Sequence, residues 1–197
     1  MSHAKHNHVI RMVILLALGI FALAPQAALA EGPTEAYIYQ QGDHNEGTIR
    51  QGARDSLAMQ YQLGDDNTGY IYQSGEGNLS IQLQSGQFNT ARAATIGNNN
   101  FTIQTQSGAG NSLFIWQKGN DNLLVQTQTG YENRASALVL GSKNAVSQNQ
   151  FGYGHSSRVR VLGDNNTIDH LQFGSGTELA VAHLGDNAVI GVFRFGL

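Results

Sequence analysis

The chain has 197 residues, with 11 Lys+Arg against 14 Asp+Glu, a formal net charge of −3, 2 prolines and no cysteine. So mild an acidic balance argues against a dedicated nucleic-acid surface, and the lack of cysteine excludes both a disulfide framework and a Cys-based zinc site. Stability has to come from backbone pairing and stacking.

Residues 1 to 30 have the form of a signal peptide. Lys5 and Arg11 give a basic start, Val13 to Leu23 an apolar run, and Ala28-Leu29-Ala30 a small-residue cleavage signal. The apolar run is short for a membrane span and nothing after residue 30 approaches the required length, so an exported, soluble product beginning at Glu31 is expected. Without Lys5 and Arg11 the balance is 9 Lys+Arg against 14 Asp+Glu, a charge of −5. His3, His6 and His8 resemble a metal cluster, but they precede the apolar run and leave with it. Residues 31–35 read as a short N-terminal segment and 36–197 as one repeat domain.

The repeat is set by glycine. Gly64, Gly75, Gly86, Gly97, Gly108, Gly119, Gly130, Gly141, Gly152, Gly163, Gly174, Gly185 and Gly196 stand eleven residues apart without a break. Each opens a Gly-x-x-Asn turn in the central copies, from Gly64 and Asn67 to Gly141 and Asn144, and again at Gly163 and Asn166. Gly and Asn both tolerate positive φ, so the pattern predicts a sharp reversal at fixed intervals. An eleven-residue period also suits a right-handed helical supercoil. Against that, a glycine in every third turn costs about 1 kcal/mol relative to alanine, and stretches such as Ser80 to Gln84 and Thr102 to Gln106 alternate like strands. The expected fold is all-β, a parallel stacked solenoid in which each copy buries its face against the next.

The full repeat is 22 residues. Two positions before the glycine, Gln40, Gln62, Gln84, Gln106, Gln128, Gln150 and Gln172 form one series, while the alternate copies hold Gln73, Thr95, Gln117, Val139, Val161 and His183. Four positions before it, Gln60, Gln82, Gln104, Gln126, Gln148 and then His170 contrast with Ile71, Ala93, Ile115, Ala137, Val159 and Val181. A strand, turn, strand, turn rung repeated about seven times places like residues above one another at the ~4.8 Å strand spacing, where amide side chains form ladders. The asparagines Asn67, Asn89, Asn111 and Asn133, and Asn78, Asn100, Asn122, Asn144 and Asn166, fall in two further columns. A buried amide left unpaired costs about 1 to 3 kcal/mol, so internal glutamine requires nearly continuous columns. Parity puts Leu113, Ile115, Leu124, Val146 and Ile168 inside with the glutamines, and leaves Ile81 with Leu83 and Phe114 with Trp116 outside, as scattered surface or as a stripe for lateral packing.

Both ends deviate. Gly42, Gly52 and Gly64 are spaced ten then twelve, and Thr177 and Ala188 replace the turn asparagine. No proline follows residue 33, and the last strand, Val189 to Arg194, holds one charge, so the stack is expected to present open edges that recruit another chain. Arg92, Arg134, Arg158, Arg160 and Asp169 fall on the outer face and are expected to slow uncontrolled edge pairing.

The motif Gln-x-Gly-x-x-Asn, as in Gln73-Ser74-Gly75-Glu76-Gly77-Asn78 running to Gln84, and Gln106-Ser107-Gly108-Ala109-Gly110-Asn111 running to Gln117, resembles the curlin repeat. The likeness extends from about Tyr37 to the C-terminus. It implies a subunit of curli, the extracellular amyloid fibres of Gram-negative bacteria that support adhesion, aggregation and the biofilm matrix. By that resemblance the chain crosses the periplasm, passes a dedicated outer-membrane secretion pore with accessory factors, and polymerises outside with itself and with a homologous curlin subunit. The Gln and Asn columns would then template growth. Turn glycines in both halves of each repeat look more like the minor, nucleating subunit, and the even regularity suits either type. Only Glu31 to Glu35 precede the repeats, where the major subunit carries a Gly- and Asn-rich stretch.

A second reading is a capped, monomeric β-solenoid adhesin, which differs only at its ends. A catalytic reading would use Asp65, Asp66 and Asp164 with His155, His170 and His183, but the acids sit in turns and the histidines occupy ladder positions. Calcium-binding turns would need a nonapeptide pattern that is absent. The sequence thus points to a structural protein rather than an enzyme, with no cofactor, nucleic acid or small-molecule substrate.

Overall fold

The computed structural model describes residues 34–197. The proposed signal peptide, with His3, His6 and His8, and residues 31–33 lie outside the described residues. Within them the chain forms strands β1 (Glu35–Gln41), β2 (Glu46–Arg54), β3 (Leu57–Leu63), β4 (Thr68–Glu76), β5 (Leu79–Gln87), β6 (Thr90–Ile96), β7 (Phe101–Ala109) and β8 (Ser112–Lys118). The series continues with β9 (Leu123–Tyr131), β10 (Arg134–Leu140), β11 (Ala145–Tyr153), β12 (Ser156–Leu162), β13 (Thr167–Ser175), β14 (Glu178–Leu184) and β15 (Val189–Phe195), with no helix among the described residues.

Odd strands make an eight-stranded sheet, even strands a seven-stranded sheet, each in sequence order. All pairs are parallel and each partner lies 22 residues away, as in Gln82 beside Gln104 and Ala137 beside Val159. One odd and one even strand therefore close a rung, giving a β-solenoid of about seven turns, with β15 opening another. Side chains alternate between the inter-sheet interior and solvent, and the burial of β10 and β12 follows that period of two.

The turns show why glycine recurs so strictly. Gly108 has φ +117, and a Cβ there would collide with the carbonyl oxygen of Gly130 one rung on. The turn asparagines play a different part from the one expected. The residue before each is the one with positive φ, whatever its type: Asp66 at 54°, Phe88 at 56°, Glu132 at 56° and Lys143 at 59°. Backbone pairing runs on through these reversals, as in Gly64 N–H to Gln41 O (2.9 Å) and Asp66 N–H to Asp43 O (3.0 Å). The rungs thus bond to one another around most of their perimeter, which holds the left-handed residues in place. At the irregular N-terminal copy the register survives: Ala53, not Gly52, lies beside Gly75.

The interior changes along the stack. Ala93, Ile115, Leu124, Ala137, Val139, Val146, Val159, Val161 and Ile168 form an apolar core through the later rungs, joined by Val181 and Ile190. Toward the N-terminus the same space holds Ser80, Thr95 and Thr102, all fully buried. The two outer faces also differ. Ile81 with Leu83 lies on the odd sheet and Phe114 with Trp116 on the even one, so they form no common stripe. Leu79, Ile81 and Ile103 are only 4–6% exposed, covered by their column neighbours. Arg92, Arg134, Arg158 and Arg160 are exposed on the even sheet and Asp169 on the odd.

Candidate functional site

The residues singled out by their spacing come together as four columns along the stack. In the first, Gln40, Gln62, Gln84, Gln106, Gln128, Gln150 and Gln172 are linked in order, each Nε2 donating to the Oε1 of the glutamine one rung on at 2.6–3.1 Å. In the second, Gln60, Gln82, Gln104, Gln126 and Gln148 are joined the same way at 2.7–3.0 Å. All but Gln40 are buried.

Each buried amide of the two columns has a second N–H, and it crosses to the other wall. Gln104 Nε2 donates to Arg92 O and Gln106 Nε2 to Thr90 O, and equivalent bonds run from Gln60 to Thr48 O and from Gln150 to Arg134 O. These carbonyls require the nitrogen, not the oxygen, on that side, so every glutamine in a column is oriented alike. The ladder is therefore polar, with acceptors toward its N-terminal end and donors toward its C-terminal end. Small residues on the even strands admit the amide tips: a Cβ on Gly69 would meet Gln60 and Gln82 at 3.1 Å. Sequence spacing did not single out Gly47 and Gly69, although a strand-interior glycine is itself a sign of close approach.

The asparagine columns work through the backbone as well. Asn89 Oδ1 accepts both the backbone N–H (3.2 Å) and the side-chain N–H (3.1 Å) of Asn111, while Asn89 Nδ2 donates to Gly108 O at 2.9 Å. The donation to the glycine carbonyl repeats at Asn67, Asn111 and Asn133, and at Asn78, Asn100, Asn122, Asn144 and Asn166, although Asn133 and Asn166 accept only the backbone N–H of His155 and Ala188. The asparagine thus satisfies the turn carbonyl that the glycine leaves accessible at Gly86, Gly97, Gly119, Gly130, Gly141, Gly152, Gly163 and Gly185 as at Gly108, and Asn45 does so at Gly64, while Gly75 and Gly174 share the positive φ but have Ser56 and His155 in the asparagine's place.

The histidines sit in the columns. His155 stands in an asparagine position: Thr177 N–H donates to its Nδ1 at 3.3 Å, so the proton is on Nε2, which donates to Phe151 O at 3.1 Å. His170 follows Gln148, whose Nε2 turns to Ser157 Oγ (2.6 Å), and Ser157 Oγ contacts His170 Nδ1 at 2.9 Å. Burial lowers the His170 pKa to about 4, against a weaker upward pull from Asp169. Ser157 was not singled out by spacing, and its hydroxyl in an otherwise apolar column was the available signal. Asp65 and Asp164 each accept a turn N–H from the rung before, from Asp43 at 2.9 Å and Ser142 at 2.7 Å, and Asp66 lies 3.9 Å from the exposed His44, so the contacts of these acids are made within the turns. Among the described residues no group of three or more His, Cys, Asp or Glu is arranged to hold a metal ion.

The even-sheet column is looser. Gln51 donates to Gln73 (2.8 Å), but Gln73 turns across to Ser80 Oγ (2.7 Å), and Gln117 Nε2 bonds Thr95 and Thr102 hydroxyls at 3.0 and 2.6 Å. Gln117 Oε1 and His183 Nε2 are buried without a hydrogen-bond partner among the described residues, as are Gln60 Oε1 and His170 Nε2. No protein-family model, curated protein or solved structure matches the chain. The chemistry of the arrangement is that of directional amide stacking, in which each rung bonds the next through like side chains.

Proposed function

We propose that the chain is a structural subunit of an extracellular, curli-type amyloid fibre, acting in self-assembly or nucleation rather than catalysis. The observation that carries this reading is the pair of like-oriented glutamine ladders, in which each rung presents to the next the same donor and acceptor. Adhesion, aggregation and biofilm support follow from the curlin-like motif, as do export to the surface of a Gram-negative cell through an outer-membrane pore, and partnership with a homologous subunit. No cofactor enters the reading. A single repeat of so polar a chain gains little from burial, so the exported chain remains disordered until rungs stack.

The test is direct. The purified mature chain at micromolar concentration is expected to form thioflavin-positive fibres with the cross-β strand and sheet spacings, about 4.8 and 10 Å. A stable folded monomer under the same conditions would replace this reading with the monomeric adhesin.

A further inference from the structure

The two sheets do not hold equal numbers of strands, and that inequality selects how copies join. Among the described residues the odd sheet ends at β1 and β15 and the even sheet at β2 and β14, with eight and seven strands respectively. Consider a second copy stacked on the C-terminal end with the 22-residue register continued. If β2 of the new copy paired with β14, the copy would be displaced by seven rungs, and its β1 would occupy the position already filled by β15. If β1 of the new copy paired with β15, the displacement would be eight rungs and nothing would overlap.

We infer that copies of this chain join end to end through β15 of one and β1 of the next, with the odd sheet continuous across the junction and one strand position of the even sheet left open. This rests on the polymer-forming reading above. The side chains meeting there are complementary column by column. Arg194 follows Gln172 in the glutamine column, and an arginine has donors only. The continued register brings it against Gln40, whose Nε2 is committed to Gln62 and whose Oε1 takes no donor among the described residues. Val192 comes to Ile38, and these two apolar residues stand at opposite ends of the Gln60 column. On the outer face Phe193 comes to Tyr39, which already stacks on Tyr61 with ring centroids 4.7 Å apart. Phe193 is 59% exposed and Tyr39 50%, a large apolar area for a strand edge to leave uncovered. A head-to-tail contact of this kind does not close on itself, so it yields a filament.

Residues 34–197 carry their own paired sheets and interior, so the chain from Glu31 onward is the species to test. It contains no cysteine, so introduced pairs report without background. Fibres of Tyr39→Cys/Phe193→Cys, grown reduced and then oxidised, are expected to give a ladder of disulfide-linked multimers on a non-reducing gel. Adjacent paired strands bring Cα atoms about 4.8 Å apart, within disulfide reach. Fibres of Arg50→Cys/Ala182→Cys, the matching outer positions of β2 and β14, should stay unlinked, because the open position separates them by about 9.6 Å. Multimers from the second pair, or unlinked fibres of the first, would overturn the junction while leaving polymerisation intact. No polymer from any variant or from the unaltered chain would sink the underlying reading together with it. Mass per length of unaltered fibres gives an independent answer. One molecule per roughly 38 Å, eight strand spacings, supports the junction, and one per roughly 34 Å, seven spacings, overturns it.

Discussion

The odd and even walls of the solenoid share one backbone geometry and one 22-residue register, yet only the odd wall is tied side chain to side chain continuously along the stack, the even wall having isolated links such as Gln51 to Gln73 and Gln117 to Thr95. Two of its three inward columns are glutamine through most of the stack, while the third runs from Ala58 through Ser80 and Thr102 to Leu124, Val146 and Ile168. On the even wall, the column in the corresponding place passes from Gln73 through Thr95 and Gln117 to Val139 and Val161 without disturbing a single pairing. The difference teaches that a stacked fold needs strict identity where polar groups bond upward, and only suitable volume where they do not. A glutamine in a ladder has its partners supplied by its own kind. An apolar neighbour asks only to be covered.

The largest effect should come from what both walls share. Gly108→Ala, after an odd strand, and Gly119→Ala, after an even one, each put a Cβ against the carbonyl of the glycine one rung on at positive φ. Each is expected to cost about 4 kcal/mol or more in chemical denaturation, and near-equal losses would show that the turns are common to both walls. A large inequality would mean that the walls differ in backbone as well as in side chains. Next comes Gln106→Ala, which removes the donor to Gln128 Oε1 and leaves that buried atom unpaired. A loss of about 3 kcal/mol and slower fibre elongation are expected.

The His170 position probes the same ladder by titration. Burial holds its pKa at about 4 against an ordinary 6.5, so the unfolded chain binds the proton first as pH falls. Its contribution is complete above about pH 6.5 and declines between there and about pH 4, by on the order of 3 kcal/mol at the end. His170→Gln, which restores the column residue, should flatten that part of the stability profile. On the even wall Gln117→Ala is expected to cost only about 1 kcal/mol, because Gln117 Oε1 already lacks a partner and the Thr95 and Thr102 hydroxyls still bond each other at 3.2 Å. Equal costs for Gln106→Ala and Gln117→Ala would erase the distinction between the walls. Smallest of all is Gln87→Ala, where an exposed 3.4 Å contact to Asp65 is lost, and a change within about 0.5 kcal/mol is expected.

Much of this was legible in the chain before any coordinates, because a repeat converts sequence spacing into spatial neighbourhood. Glycines eleven residues apart, and glutamines 22 apart, can meet their own kind only if the chain climbs one strand spacing per repeat, and the observed register is that one. What spacing could not supply was the third dimension of each column. The donation of a second amide hydrogen to the opposite wall, the accommodation of Gln60 by Gly69, the hydroxyl relay of Ser157 to His170, and the positive φ at Phe88 and Lys143 depend on atoms brought together across the rung. Which outer residues share a face was likewise undecided until Ile81 and Phe114 fell on different sheets. Period alone sets which residues stack, since stacking is translation along one axis. Contacts across the interior depend on how two strands of different composition close on each other, and only the folded rung decides that.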